Sequence, residues 1–313
     1  MSKKIITVIG STGAQGGGLA NAILSDANGE FTLRAVTRKV DGDAAKKLAS
    51  RGAQVVSADL DDVESLKRAF DGAHGVFCLT NFWEHMSPDK EIAQAKNLAT
   101  ACKAASVKHA VWSTLEDTRK RVPLADDRMP TLHGRFKVPH FDTKGESDAF
   151  FDAAHTTFLL TSFYWDNLVA FGMGPKADET GALAFVLPMG DKKLPGIAAE
   201  DIGKCAYGVF KRGDATLGKY VGISGEHLTG AEMAAGLARA LEKPVTYKAV
   251  PPAVYRSFGF PGADDLGNMF QYKAEFESAF CGARNVADSR ALNPEMLNFA
   301  GWLAKNKSKI PLG

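Results

Sequence analysis

Short runs of β-branched and aliphatic residues recur through the first 165 positions, and after most of them apolar residues return every three or four positions. Residues 5–9, 32–37, 54–57, 75–80, 109–113 and 157–161 read as strands. Residues 16–25, 44–49, 63–70, 88–105 and 145–154 read as helices. The alternation predicts a parallel sheet covered by helices on both faces, an α/β architecture. Asp61-Asp62-Val63-Glu64 suggests a capping box opening the third helix, and Ser87-Pro88 is a hydroxyl cap followed by proline at the first helical position. Residues 119–139, with three prolines and weak periodicity, read as a loop or lid. Beyond residue 165 glycine and proline break the chain into short pieces, with helices expected over 199–212 and 230–241, the second capped by Thr229.

Composition narrows the function classes. Lys and Arg total 38 against 36 Asp and Glu, a net charge of +2, which excludes a nucleic-acid or membrane-surface binder relying on overall charge. Cys78, Cys102, Cys205 and Cys281 form no C-x-x-C pair, arguing against a disulfide framework or a zinc site and for reduced thiols in a cytoplasmic protein. The apolar run at residues 5–9 is too short for a signal segment, and no stretch approaches the ~18 residues of a membrane span. No metal, membrane or direct nucleic-acid contact is expected.

Gly10-Ser11-Thr12-Gly13-Ala14-Gln15-Gly16 carries the chemistry, since it follows the first strand and opens the first helix. The first glycine permits a tight turn, the second lets backbone N–H groups approach a pyrophosphate, and the third lets helix and strand pack closely. The second strand ends in Arg38-Lys39, about 20 residues past the glycines, where an acid would bind the ribose 2′-hydroxyl of NAD. A guanidinium there pairs with a 2′-phosphate, so NADP(H) is the expected cofactor. Asp59, at the end of the third strand, fits either a place beside adenine or a structural role in the turn with Asp61. Thr80-Asn81-Phe82-Trp83 ends the fourth strand, at the carboxyl edge where open parallel sheets bind ligands. In the C-terminal part, Tyr255, Phe258, Phe260, Met269, Phe270 and Tyr272 fit subdomain packing better than a substrate pocket.

Together with Ser113-Thr-Leu-Glu116 and His140-Phe-Asp-Thr-Lys-Gly-Glu146, these segments resemble the NmrA-like family, atypical members of the short-chain dehydrogenase/reductase superfamily. The resemblance implies a Rossmann-type doubly wound parallel sheet over residues 1–165, completed by part of 195–225. A smaller, discontinuous α+β part, mainly residues 166–313, would bind substrate or partner. It also implies that residues 10–15 bind pyrophosphate and ribose, that Arg38 takes the 2′-phosphate and that Asp59-Leu60 holds adenine. Thr80, Asn81 and Phe82 would line the cofactor, Lys144 would contact the nicotinamide ribose, and Phe163 and Tyr164 would match a nicotinamide-side loop.

One departure matters for the chemistry. The superfamily's active members use a serine, matched here by Ser113, and Tyr-x-x-x-Lys, whose tyrosine transfers a proton while the lysine lowers its pKa. Here the spacing reads His140-x-x-x-Lys144. Sensor members of the family also carry histidine at that place, so the resemblance implies first an NADP(H) redox sensor with little dehydrogenase turnover. The alternative is an NADPH-dependent reductase of quinones or small carbonyl or enone compounds using His140 and Lys144. In the sensor reading residues 119–139 are the natural moving element. Beyond NADP(H), the expected partners are a small apolar substrate or a regulatory protein, with a homodimer left open.

Overall fold

The computed structural model describes residues 2–177 and 181–312. The chain divides into two units. The first comprises Met1–Asp117, Thr143–Thr161 and Ala199–Val221, and the second Thr118–Asp142, Ser162–Ala198 and Gly222–Gly313.

The first unit begins with β1 (Lys4–Val8), α1 (Ala14–Ser25), β2 (Phe31–Thr37), α2 (Asp43–Ser50), β3 (Gln54–Ser57), α3 (Val63–Phe70) and β4 (Gly75–Cys78). It continues with α4 (Pro88–Ala104), β5 (His109–Thr114), the part of α5 (Pro139–Ser147) from Thr143 onward, β6 (Thr156–Leu160), α6 (Ala199–Arg212) and, but for its last residue, β7 (Tyr220–Gly222). The strands form one sheet in the order β7-β6-β5-β4-β1-β2-β3, and the pairings of β1 through β6 are parallel. Crossing outward from β1 in both directions makes this a Rossmann-type doubly wound sheet, with the switch point between β1 and β4.

Strand β4 is buried throughout, as a central parallel strand requires. Val76, Leu66, Phe70, Leu98 and Trp112 join one apolar cluster, and Trp112 stacks on Phe151 at 4.8 Å. Ring stacking does not leave the indole nitrogen unpaired, because Trp112 Nε1 donates to Asp148 Oδ1 at 2.9 Å. On the other layer α1 packs against α6 at very short range. A Cβ at Gly18 would meet Glu200 O at 2.2 Å, and one at Gly203 would meet Leu19 N at 2.0 Å. Gly17 behaves differently from its neighbour, because a Cβ there would have its nearest contact at 3.6 Å.

Most expected elements form within one or two residues of their predicted bounds, and three local features differ. The helix expected over 145–154 is instead α5, starting at Pro139 and ending at Ser147, followed by 3-10 turns at Asp148–Phe150 and Ala153–His155. Gly145 lies inside α5 because a Cβ there would fall 2.4 Å from Asp117 N, so this glycine marks a close backbone approach and not a helix start. At α3 the cap is Asp62, which accepts from the N–H groups of Glu64 and Ser65, while the Glu64 carboxylate pairs with Lys67 and does not close a box.

The second unit contains two three-stranded mixed sheets. In one, Lys193–Ile197 pairs antiparallel with Glu226–Thr229 and parallel with Phe163–Tyr164. In the other, Leu183–Leu187 pairs parallel with Val245–Ala249 and antiparallel with Lys176–Ala177. The helix Gly230–Leu241 opens on a full capping box between Thr229 and Glu232. Tyr255, Met269, Phe270 and Tyr272 are buried, while Phe258 and Phe260 stay partly exposed with their rings against Tyr255. The first four take the subdomain packing expected of them, and Phe258 and Phe260, 47% and 39% exposed, do not.

Candidate functional site

The turn between β1 and α1 uses each glycine differently. Gly10 has φ +64°, a conformation that favours glycine, and its carbonyl accepts the Gly13 N–H at 2.8 Å. A Cβ at Gly16 would lie 2.4 Å from Gly10 O, so helix and turn touch only because that side chain is missing. Ser11 is buried and donates to Val36 O at 3.0 Å, tying the loop to β2. Gln15 is also buried, and its Oε1 accepts from Ser113 Oγ at 2.8 Å, which joins β5 to the glycine loop. Thr12, Gly13 and Ala14 are exposed, and α1 opens on Gly13 with no side-chain cap and no acid in its first turn. That end of the helix suits an anion. Beside it lies a cavity of about 320 Å³ lined by Ser11, Thr12, Gly17 and, from α2 and the residue that follows it, Lys47 and Arg51. These two cations stand out only in the folded chain.

Arg38 follows β2, mostly exposed, and donates to Glu84 Oε1 at 2.5 Å. The Glu84 hydrogen bond and charge raise its pKa, with Asp59 and Asp61 adding to the effect, so an acidic neighbourhood surrounds this guanidinium. Asp59 has a definite structural task. Its Oδ1 accepts the Asp61 N–H at 2.9 Å, and its backbone N–H donates to Ser65 Oγ at 3.0 Å. Leu60 packs on the core, and its carbonyl accepts from Asn97 Nδ2 at 2.8 Å.

After β4 the chain delivers Thr80, buried, then Asn81, exposed, then Phe82, buried edge-to-face against Trp83. Lys144 on α5 reaches Thr80 twice, donating to Oγ1 at 2.7 Å and to the carbonyl at 3.2 Å, and its Nζ lies 5.0 Å over the Trp112 ring. It also pairs with Glu91 of α4 at 3.1 Å, and Glu91 is fully buried.

In the second unit His140 Nδ1 lies 2.6 Å from Asp265 Oδ1, and the His140 backbone N–H donates to Asp265 Oδ2 at 3.2 Å. Both residues are buried. Phe163 is buried with its ring 6.1 Å from Phe270, and Tyr164 beside it is half-buried. Residues 119–139 are largely irregular, as expected, and are tied down by polar contacts. Asp142 clamps their two ends, accepting from Thr118 N and Oγ1 at 2.7 and 2.6 Å and from the N–H groups of Lys137 and Val138 at 2.8 and 3.0 Å. Within the segment, Lys137 is buried and its ammonium donates to the carbonyls of Asp126 and Met129, both at 2.7 Å. From the helix Ala263–Glu275, Asn268 donates to Pro130 O and Lys137 O, and Gln271 donates to Arg128 O. Weak periodicity here accompanies polar anchoring in place of an apolar stripe.

A family profile described as NmrA-like matches residues 2–303. The chain belongs to the NmrA-like family. Among curated NmrA-like relatives, the domain-containing oxidoreductase FrzB of Cladobotryum sp. is 30% identical over 288 residues, covering 86% of this chain and 83% of FrzB. The NAD(P)H azoreductase of Xenophilus azovorans is 30% identical over 246 residues, covering 79% of this chain and 77% of the azoreductase. A crystal structure of NmrA, a negative transcriptional regulator, in complex with NADP superposes with TM-score 0.78 at 22% identity, covering 97% of this chain and 95% of that one.

For this NmrA-like chain, then, the first unit gathers the glycine loop, Arg38, Asp59, Leu60, Thr80, Asn81, Phe82, Ser113 and Lys144, while His140, Phe163 and Tyr164 belong to the second. Glu91 and Asp265, the partners of Lys144 and His140, escaped the sequence reading, because each lies far along the chain from the residue it holds. The one sequence signal for Glu91 is a carboxylate on an apolar helix face. Among the described residues no helix is long and apolar enough to cross a membrane.

Proposed function

We propose that this chain is an NADP(H)-dependent reductase of small organic acceptors, such as quinones, azo compounds or carbonyl and enone compounds. The observation that carries the reductase assignment is the buried His140–Asp265 pair at the sequence position where the superfamily keeps its proton-transferring tyrosine. Cofactor binding is supported by the tight turn at Gly10, the uncapped start of α1 and Arg38 at the end of β2. NADP in the NmrA structure and the reductase name of the Xenophilus relative agree with this.

When bound, NADPH supplies a hydride. In this assignment the backbone of residues 12–14 and the first turn of α1 hold the pyrophosphate, and Arg38 exchanges Glu84 for the 2′-phosphate. Lys144 donates to the nicotinamide-side ribose from its seat on Thr80. His140, its Nδ1–H turned to Asp265, exchanges the balancing proton at Nε2. A redox sensor is the second reading, favoured by the absence of tyrosine four residues before Lys144 and by likeness to a transcriptional regulator.

NADPH absorbance followed over a panel of quinones, azo dyes and aldehydes separates the two. Acceptor-dependent oxidation that falls in His140→Gln supports the reductase. NADPH binding without any turnover, accompanied by a cofactor-dependent change of oligomer size, would overturn it in favour of the sensor.

A further inference from the structure

Helix α4 carries a carboxylate that the function above leaves without a task. Glu91 is fully buried, and an ionised group in a protein interior is tolerated only with close partners. Three polar side chains from separate segments converge on it. Thr80 Oγ1, just past β4, donates to Glu91 Oε1 at 2.6 Å, and Lys144 Nζ, from α5, lies 3.1 Å from the same oxygen. His85 Nε2, from the turn before α4, faces Oε2 at 3.3 Å. The Ser87 N–H donates to His85 Nδ1 at 3.1 Å, which leaves the ring proton on Nε2, the nitrogen on the carboxylate's side, although the two do not meet in hydrogen-bond geometry. Burial pushes the Glu91 carboxyl up. The Lys144 ammonium, the nearby His85 ring and the bonds from Thr80 and Lys144 outweigh it and hold the pKa at about 2.

The hydroxyl of Thr80 is shared in one sense only. Its single proton goes to Glu91, so its lone pairs are left to accept from Lys144. The ammonium is thereby fixed from two sides, by a charge and by a hydroxyl that the same charge orients.

We propose that Glu91 is a positioning residue for Lys144: its buried carboxylate neutralises the ammonium and, through Thr80 Oγ1, fixes Nζ so that its longest contact, the one to the Thr80 carbonyl at 3.2 Å, is the one a cofactor ribose hydroxyl replaces. This rests on the NADP(H) assignment above. A lysine whose charge is already paired has little left with which to lower the pKa of a neighbouring phenol. A chain with histidine at that sequence position has no such phenol to serve. Lys144 is kept here for geometry.

The test is a double-mutant cycle on the full chain, with NADPH affinity read by calorimetry and folding by thermal melts. Glu91→Gln and Lys144→Met should each weaken NADPH binding about tenfold, the scale of one lost hydrogen bond to a charged group. The double variant should lose no more than Lys144→Met alone. Thr80→Val should resemble Glu91→Gln, and Thr80→Ser should retain affinity. This Thr80 pair decides the matter if Glu91→Gln does not fold. Additive losses, or Glu91→Gln binding NADPH as tightly as the unaltered chain, would overturn the proposal while leaving the cofactor assignment intact. Absence of saturable NADPH binding by the unaltered chain would remove that assignment and this inference with it.

Discussion

The carboxylate of Asp265 holds both the ring and the backbone of His140, with Oδ1 2.6 Å from Nδ1 and Oδ2 accepting the backbone N–H at 3.2 Å. If His140 exchanges a proton with the acceptor, its removal should cost turnover more than affinity. His140→Ala should lower kcat for acceptor reduction about a hundredfold, the usual scale of a general acid. Asp265→Asn, which keeps the volume and loses the charged acceptor, should cost about tenfold. NADPH affinity should stay unchanged in both. Steady-state kinetics with kcat and KM resolved check this, and a loss confined to KM would count against proton transfer.

Glu84 occupies the guanidinium to which the 2′-phosphate is assigned in the proposed function. An exposed ion pair is weak, so the competition is mild. Glu84→Gln should therefore tighten NADPH binding about two- to fivefold and leave NADH binding unchanged. Parallel titrations with the two cofactors measure it, and equal tightening of both would point to a different cause.

The contact between α1 and α6 makes a local prediction about three glycines. Gly18→Ala and Gly203→Ala drive a methyl group into backbone at 2.2 and 2.0 Å, which rigid elements cannot easily relieve. Each should destabilise the chain by about 1–3 kcal/mol or more. Gly17→Ala meets nothing closer than 3.6 Å and should be neutral or stabilising by up to about 1 kcal/mol through helix propensity. Denaturant midpoints of the three variants decide it.

Acid should destabilise the first unit in two stages. His109 Nε2 lies 2.8 Å from Thr157 Oγ1, and burial, aided by the His74 charge and opposed by Asp214, lowers its pKa from 6.5 to about 4. A group whose folded pKa is depressed stabilises the fold above its unfolded pKa, so this contribution is present above pH 6.5 and fades as pH falls through 4. Glu91, lowered from 4.5 to about 2, follows the same sign and fades over that lower window. Each stage is on the order of 3 kcal/mol. His109→Gln should flatten the upper limb of a stability-against-pH curve and Glu91→Gln the lower limb. Unchanged slopes in these variants would refute the assignment.

Residues 10–16 were legible because their chemistry is local: a turn needing positive φ and a helix start needing a small residue leave the same trace in any sequence. The strands of the first unit were legible for a similar reason, since β-branched runs between helical patterns have few alternatives. Gly145 misled because its reason is the Asp117 backbone packed against it, which no local pattern records. Residues 119–139 looked loose because the bonds from Asp142, Asn268 and Gln271 that pin them have no periodicity. Glu91 and Asp265 were invisible as a class, since a carboxylate acquires its role from whichever cation or ring the fold brings to it.

The central claim is that the first unit binds NADP(H) through Arg38, and calorimetric titration of NADPH and NADH into the unaltered chain and Arg38→Ala tests it most directly. The unaltered chain should bind NADPH saturably and in preference to NADH, and Arg38→Ala should remove the preference by weakening NADPH alone. No saturable NADPH binding, or a preference that survives Arg38→Ala, would contradict it.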